Sequence, residues 1–201
     1  METEELITTD KSSKFLEKLR KFTDIKLNIG SGKNQIEGFI NIDSEEINEP
    51  DLVHDITKAS LPFQNETVSE ICFFHCIEHI EEGFHDAILL EFRRILKNDA
   101  LLLISYPEFL KCADAYRDNL RGQREFFKYT IYGRQKHPGD FHVSLMDTTF
   151  FLNRLRRLGF YDIEHHYESY PNEFNSILKI KNSMNPRVTR EELLKKEIFD
   201  V

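Results

Sequence analysis

The residues best placed to do chemistry come in short groups, each following an apolar run. Lys26-Leu27-Asn28-Ile29-Gly30-Ser31-Gly32 sets a G-x-G turn after a β-compatible stretch, and Phe39-Ile40-Asn41-Ile42-Asp43 ends a second such stretch on a carboxylate. Glycines at such a turn let the backbone bend sharply and approach a ligand with no Cβ in the way. An acid at the end of the second strand can accept both hydroxyls of a ribose. Asp55 and His75 follow two further apolar runs, and His75 opens His75-Cys76-Ile77-Glu78-His79. His142 closes His137-Pro138-Gly139-Asp140-Phe141-His142. Histidine is the usual general base near neutral pH, so His75 and His142 are the candidate bases. Each residue also has a plainer reading. Asp43 and Asp55 are capable of capping the loops at Ser44 and beyond. His79 reads better as a satisfied polar residue than as a ligand, and His165 and His166 as strand-face residues. Arg154, Arg156 and Arg157 read as a solvated helix face.

The elements that must position these residues follow from periodicity. Ser12 and Ser13 are candidate caps for a helix carrying Phe15, Leu16, Leu19 and Phe22. The first strand covers about 25–30. Only Ser31 to Gly38 separates it from the second, whereas a parallel crossover normally takes a dozen or more residues. Either a nearly extended return replaces the crossover helix or the two strands are not parallel neighbours; eight residues reach ~26 Å when extended, enough to run back along the strand, so the extended return is the favoured reading. Residues 51–54 and 71–74 read as the next strands, 84–97 as an amphipathic helix, and 100–105 as a fifth strand after a turn at Asn98-Asp99. Residues 108–120 read as a helix, and 121–142 as a long irregular segment covering the substrate side. Asp147 caps a helix with Phe150, Phe151, Leu155 and Leu158 inward, stopped by Gly159. Residues 161–167 and 174–181 form a closing strand pair, and Thr189 with Glu192 marks a C-terminal helix. The sum is an α/β fold: a Rossmann-like, doubly wound, mostly parallel sheet with a closing antiparallel strand in a three-layer αβα sandwich. The expected divisions are an N-terminal helical extension (1–24), one domain (25–182) and a C-terminal tail helix (183–201). Such sheets bind ligands beyond the carboxyl ends of their strands, where the glycine turn, Asp43, Asp55 and His75 all fall.

Composition narrows the classes. At 201 residues with 17 Phe the chain can fill one α/β core. No apolar run approaches the ~20 residues that span a bilayer, and the acidic N-terminus lacks a signal-peptide pattern, which points to a cytoplasmic protein. Cys72, Cys76 and Cys112 form no C-x-x-C pair and read as reduced core thiols. The net charge of −8 argues modestly against a nucleic-acid partner, duplex above all, and composition does not name the substrate. Oligomeric state is not legible.

In their order and spacing, Leu27–Gly32, Gly38–Asp43, His54-Asp55-Ile56, Leu61-Pro62-Phe63 and His75–His79 resemble the class I S-adenosylmethionine-dependent methyltransferases, over roughly residues 25–181. The likeness is closest to a small subgroup with a short loop after the glycine turn. It implies S-adenosyl-L-methionine as cofactor and methyl transfer to an oxygen or nitrogen nucleophile of a small-molecule or sugar-type acceptor. It further implies cofactor contacts from Asn28, Gly30, Ser31, Gly32, Asp43, Ser44, Asp55, Ile56 and His75, with Asp43 at the ribose and Asp55 and the Ile56 backbone at the adenine. The chain departs from the family at Asn28, where many members carry an acid. It departs also at Asn34, which replaces a third glycine, and at Asn98-Asp99, which replaces a Pro-Gly-Gly turn.

Methyl transfer from a sulfonium needs a nucleophile held in line near ~3 Å from the methyl carbon, and aromatic faces are mild partners for the cation. Tyr106 is the aromatic expected there. The competing functions are a non-catalytic methyltransferase-like binding module, a zinc peptidase of the H-x-x-E-H type, and a nicotinamide-dependent oxidoreductase. The peptidase needs both histidines on one helix face, which a strand end before His75 spoils, and no third ligand is evident, so no metal is expected. The oxidoreductase fingerprint needs a helix after the glycine turn and a later acid.

Overall fold

A computed structural model describes residues 10–168 and 174–183. The helix expected at Thr189–Glu192 lies outside the described residues. The strands are β1 (Ile25–Ile29), β2 (Ile40–Asp43), β3 (Leu52–Val53), β4 (Val68–Phe74), β5 (Leu96–Pro107), β6 (Asp162–Tyr167) and β7 (Asn175–Lys181). They form one seven-stranded sheet in the order β3-β2-β1-β4-β5-β7-β6. All neighbours from β3 to β5 are parallel, and β7 runs antiparallel to both β5 and β6. The flanking helices are α1 (Asp10–Lys21), α2 (Glu82–Ile95), α3 (Phe109–Arg117), α4 (Arg124–Tyr132) and α5 (Thr148–Arg157). This is the expected Rossmann-like α/β architecture with its closing antiparallel strand.

The core is built from the central strands. Leu27, Ile29, Ile40, Ile42, Ile71 and Phe73 are all fully buried, as in parallel sheets covered by helices. Full burial of each such side chain contributes about 1.5–3 kcal/mol. Phe15 of α1 enters the same core and meets Phe63 edge to face at 6.0 Å.

The link between β1 and β2 carries no helix, as expected, and a buried amide network takes the helix's place. Asn28 and Asn41 lie opposite each other in the β1–β2 register. Asn28 Nδ2 donates to Asn41 Oδ1 at 2.9 Å and to the Asn34 carbonyl at 3.0 Å. Asn41 Oδ1 also accepts from the Ile36 N–H at 2.8 Å, and its Nδ2 reaches the Ile36 carbonyl at 3.3 Å. Asp51 Oδ2 accepts from the Asn41 N–H at 2.8 Å and pairs with Lys18 of α1. The backbone groups of the extended return, which a crossover helix would satisfy internally, are met here by two asparagines.

Several local expectations are corrected. α1 begins at Asp10, ahead of Ser12 and Ser13, so those serines lie within the helix. β3 has two residues, and β4 begins at Val68. α2 ends at Ile95 and the chain passes directly into β5. Asn98-Asp99 forms a bulge inside that strand, with Asp99 at φ 61° and a register shift against β4. α3 ends at Arg117, short of residue 120. The segment 121–142 is not irregular: it holds α4, because Phe127 is fully buried against Phe174, with ring centroids 5.0 Å apart, beside Cys112 and Ala115. Tertiary packing overrides a weak local pattern. Asp147 caps α5 as expected, accepting from the Thr149 and Phe150 N–H groups. Phe151, Leu155 and Leu158 are buried, but Phe150 is exposed, as is much of Phe84 on α2. Gly159, at φ +86°, ends α5 where any Cβ would collide with the Arg93 guanidinium.

Asn41→Leu keeps the branched shape but removes the acceptor of one Asn28 Nδ2 hydrogen and of the Ile36 N–H in the interior. A buried unsatisfied group costs about 1–3 kcal/mol, so the variant should lose about 2–4 kcal/mol in urea unfolding. The corresponding fall in melting temperature is roughly 5–15 °C. An unchanged midpoint would show that the network is not holding the return.

Candidate active site

The glycine turn and the second strand meet through backbone donors. Gly30 sits at φ +67°, and a Cβ there would lie 2.3 Å from Cys76 Sγ, so the turn packs directly on the chain beyond β4. Gly32 sits at φ +48° with open space where a Cβ would be. Its N–H donates to Asp43 Oδ2 at 2.7 Å. Asp43 Oδ1 accepts from the Glu45 N–H at 2.8 Å and from the Asn48 amide at 3.1 Å. An ionised carboxylate has about four acceptor positions, so three are used and one remains on Oδ2. Asp43 is thus both a loop tie and a residue with one free acceptor direction. Ser31 between the glycines is buried, and its hydroxyl has no protein partner.

The other residues of this group divide. Asn28 spends its amide on Asn41 and Asn34 beneath the loop. Ser44 is exposed beside Asp43, and Ile56 packs against the core edge. Asp55 Oδ1 takes the Thr57 N–H at 3.0 Å and the Thr57 hydroxyl at 2.6 Å, while Oδ2 pairs with Lys58 at 2.8 Å. Lys58 and Thr57 hold its carboxyl well down, at about 2. These contacts are those of a turn cap, with one acceptor direction left. Tyr106 is not at the site. It is fully buried, stacks edge to face on Phe151 at 5.4 Å and donates to Thr148 Oγ1 at 3.3 Å. Its neighbour Pro107 reaches the cleft instead.

Beyond β4 the chain turns on His75, whose backbone is left-handed at φ 48°. A non-glycine residue held in that region costs of order 1–3 kcal/mol and marks sites where geometry matters. His75 Nδ1 lies 3.3 Å from Glu78 Oε1, and Nε2 lies 3.8 Å from Glu168 Oε1. Burial lowers the His75 pKa, but Glu78 and Glu168 more than offset it and hold it above the ordinary value. Ile77–His79 is a single 3-10 turn. The Glu78 carbonyl accepts from both the Val143 N–H at 2.9 Å and the Ser144 N–H at 3.1 Å. That clamp brings His142 to the turn, where its ring meets His79 edge to face at 4.7 Å. Burial lowers the His142 pKa, with Glu78 opposing and His79 adding to the shift. His79 Nδ1 lies 3.0 Å from the Phe141 carbonyl and so carries the proton.

A cavity of about 760 Å³ opens over this cluster. His75, Glu78, His79 and His142 line it with Phe126, Tyr129 and Thr130 of α4. Gly30, Gly32, Asp43 and Asp55 do not, so the two sets of residues occupy different parts of the strand-end face, and His75 lies with the second. Sequence reasoning named His75 and His142 but missed Glu78 and His79 as site residues. The adjacent Glu-His pair was the available signal, and its importance depends on His142 arriving from a distant segment.

No family model and no curated protein matches the sequence. Solved structures do. A SAM-dependent methyltransferase from Archaeoglobus fulgidus superposes with a TM-score of 0.57 at 14% identity, covering 84% of this chain and 94% of that one. A SAM-dependent methyltransferase from Methanosarcina mazei gives 0.54 at 15% identity, covering 88% and 98%. A Burkholderia thailandensis N1-methyltransferase with bound S-adenosylhomocysteine gives 0.53 at 10% identity, covering 86% and 78%. This chain has the class I methyltransferase fold. In a methyltransferase fold the extended β1–β2 return leaves no helix for a nicotinamide fingerprint to open. The 3-10 turn at Ile77–His79, with His75 outside it, likewise lacks the helix face of an H-x-x-E-H peptidase. No helix among the described residues is long and apolar enough to cross a membrane.

The turn that carries Glu78 and His79 rests on His85 of α2, which is almost fully buried. Its Nε2–H faces the Ile77 and Ile80 carbonyls at 3.2 and 3.0 Å, and Nδ1 accepts from Arg154 at 3.2 Å. Burial, with Arg154 adding and Glu82 opposing, depresses its pKa. A depressed folded-state value means the neutral form is bound preferentially, so the contribution is full above the unfolded value of about 6.5 and is lost as pH falls below it. The urea midpoint should therefore drop on acidification below about pH 6.5, and His85→Gln should flatten that slope. Equal slopes would show that His85 is not neutral in the fold.

Proposed function

We propose that the protein is an S-adenosyl-L-methionine-dependent methyltransferase acting on a small-molecule acceptor through an oxygen or nitrogen nucleophile. The single observation that carries this is the Gly32–Asp43 contact beside the unpartnered Ser31 hydroxyl, at the carboxyl ends of β1 and β2 in a methyltransferase fold. A buried hydroxyl without a partner is costly unless a ligand supplies one. Ser31, Asp43 and Asp55 each retain a polar position, and Gly32 faces open space. That donor and acceptor set fits a polar nucleoside with an amino-acid tail.

In this proposal Gly30, Ser31 and Gly32 approach the methionine end. The free Oδ2 position of Asp43 takes a ribose hydroxyl, one rather than both, and Ser44 adjoins it. Asp55 and the Ile56 backbone flank the adenine. Asn28 acts beneath the loop by holding its shape. Bound there, the cofactor supplies an electrophilic methyl group on a sulfonium. The chain's own work is to hold the acceptor and manage its proton. His75 and His142 are the proposed catalytic residues because both line the acceptor cavity. Its volume of about 760 Å³ lies within the ~300–1,000 Å³ of small-ligand sites. Phe126, Tyr129 and Phe174 offer faces to a ring, and Arg134 and Lys136 offer charge to an anionic substituent. Residues 121–142 serve as the cover, built on α4.

Calorimetry should give a micromolar constant for S-adenosylhomocysteine, on the order of −8 kcal/mol. Asp43→Ala should weaken it roughly 10- to 150-fold, the cost of one hydrogen bond to a charged group. The same variant should lower the apo melting temperature, because three donors lose their acceptor. Binding of NAD with neither sulfur ligand would sink the function. A lower melting temperature with unchanged cofactor affinity would leave Asp43 as a loop tie only.

A further inference from the structure

Three side chains brought together from two segments have a use other than acid–base chemistry, one that leaves proton transfer to His75 whenever it is engaged. We propose that Glu78, His79 and His142 bind a divalent transition-metal cation on the acceptor side of the cleft, leaving positions open to the cavity for an oxygen donor of the acceptor. The acceptor clause rests on the methyltransferase reading; the cation site does not.

The geometry carries it. Each residue offers one ligand atom, and the three atoms lie within 4.8 Å of one another. Metal–ligand bonds of about 2.0–2.2 Å require them to close by roughly an ångström, within the reach of side-chain rotation. Glu78 is 2% exposed, yet its Oε2 has no hydrogen-bond partner. A buried carboxylate oxygen without a donor costs several times a lost neutral bond unless a cation meets it. Oε1 of the same carboxylate lies near His75, so the unpartnered oxygen is the one free to ligate. His79 is oriented as a ligand is: Nδ1–H donates to the Phe141 carbonyl, which leaves the lone pair on Nε2. Ligating histidines ordinarily hold their second nitrogen this way. The set is also held in place by the backbone, since Val143 and Ser144 both donate to the Glu78 carbonyl and the His142 N–H donates to the Tyr132 carbonyl at 3.1 Å.

Two imidazoles and one carboxylate suit zinc, iron(II), cobalt or manganese rather than the all-oxygen shells of calcium and magnesium. Three protein ligands leave room for others, and the open side is the 760 Å³ cavity. The acceptor class this favours is a small molecule bearing a hydroxyl, phenol or carboxylate oxygen. The set is not the H-x-x-E-H pair, because His75 is not among the three. It supersedes the sequence expectation of no metal, which considered only His75 and His79 on a helix.

The test is titration of chelator-stripped full-length protein with cobalt(II), followed by visible absorption and calorimetry. One equivalent should bind with the d–d bands of nitrogen and oxygen ligation. Glu78→Gln, His79→Ala and His142→Ala should each weaken uptake by more than ~100-fold, since even outer-shell partners cost ~10–100-fold. His165→Ala should leave it unchanged, and His75→Ala should cost less than any of the three. Melting curves accompany each variant, and the isosteric Glu78→Gln decides if a histidine variant fails to fold. Absence of saturable uptake by the wild type overturns the site. So does equal uptake by Glu78→Gln, or loss in His75→Ala with retention in His142→Ala. S-adenosylhomocysteine binding is measured in parallel on the same protein. Cobalt uptake without it keeps the cation site and removes the methyltransferase reading, and the converse result removes the site alone.

Discussion

The fold's dependence is concentrated in the carboxamide of Asn41. A parallel pair of strands joined by an extended link faces a problem of backbone satisfaction: no helix is present to bond its own N–H and C=O groups. Asn41 meets that demand from the middle of β2, accepting from Asn28 and Ile36 and donating toward Ile36 and Asp51. Asp51 carries the network out to Lys18, so α1 is fastened to the same point. With the return held this tightly, the end of β2 lies beside the glycine turn, and Asp43 can take the Gly32 N–H. The placement of one half of the candidate site is therefore a consequence of a structural amide.

A second constraint builds the other half. The Glu78 carbonyl accepts two backbone N–H groups, from Val143 and Ser144, across a sequence separation that nothing in the local pattern announces. It fixes His142 against His79 and ties the segment bearing α4 to the end of β4. The strain at His75, left-handed and flanked by two carboxylates, is tolerated because β5 holds its N–H through the Ser105 carbonyl at 2.9 Å. Strained backbone, an unpartnered buried oxygen and a histidine with one nitrogen already bound occur together here, features that cluster at functional sites more than in packing.

What was legible in the sequence follows from how local the signal is. The parallel core was readable because Leu27 with Ile29 and Ile40 with Ile42 stand at strand spacing and Ile71–Phe74 is a continuous apolar run, each followed by glycine or polar residues. The helix-free return was readable from chain length alone. The cap at Asp147 was readable because capping is a contact between near neighbours. α4 was not, because its existence depends on Phe127 finding Phe174, a residue far along the chain. Tyr106 was misplaced for a similar reason. Strand position gives the end of β5, but which of Tyr106 and Pro107 faces the cleft is a matter of pleat parity set by the β5–β7 register. Asn41 and Asp51 read as ordinary polar residues, since the demand they satisfy belongs to a connection whose path the sequence does not spell out.

The same distinction explains the site. Asp43 and the glycine turn are near in sequence, and their joint role was visible as a motif. Glu78 and His79 were visible only as half of a familiar peptidase pattern, which directed attention to His75 as partner. The three-dimensional partner is His142, and the substitution of one histidine for the other changes the chemistry available. His75 with Glu78 and His79 on a helix would make a hydrolytic metal centre. With His75 on a left-handed residue outside any helix and His142 packed on His79, the result is a cluster that faces a cavity walled by aromatic rings. A hydrophobic wall with one polar floor orients a small ring by excluding water from its faces and directing its polar edge downward. Glu78, His79 and His142 form the polar floor of this cavity, and His75 lines it beside them.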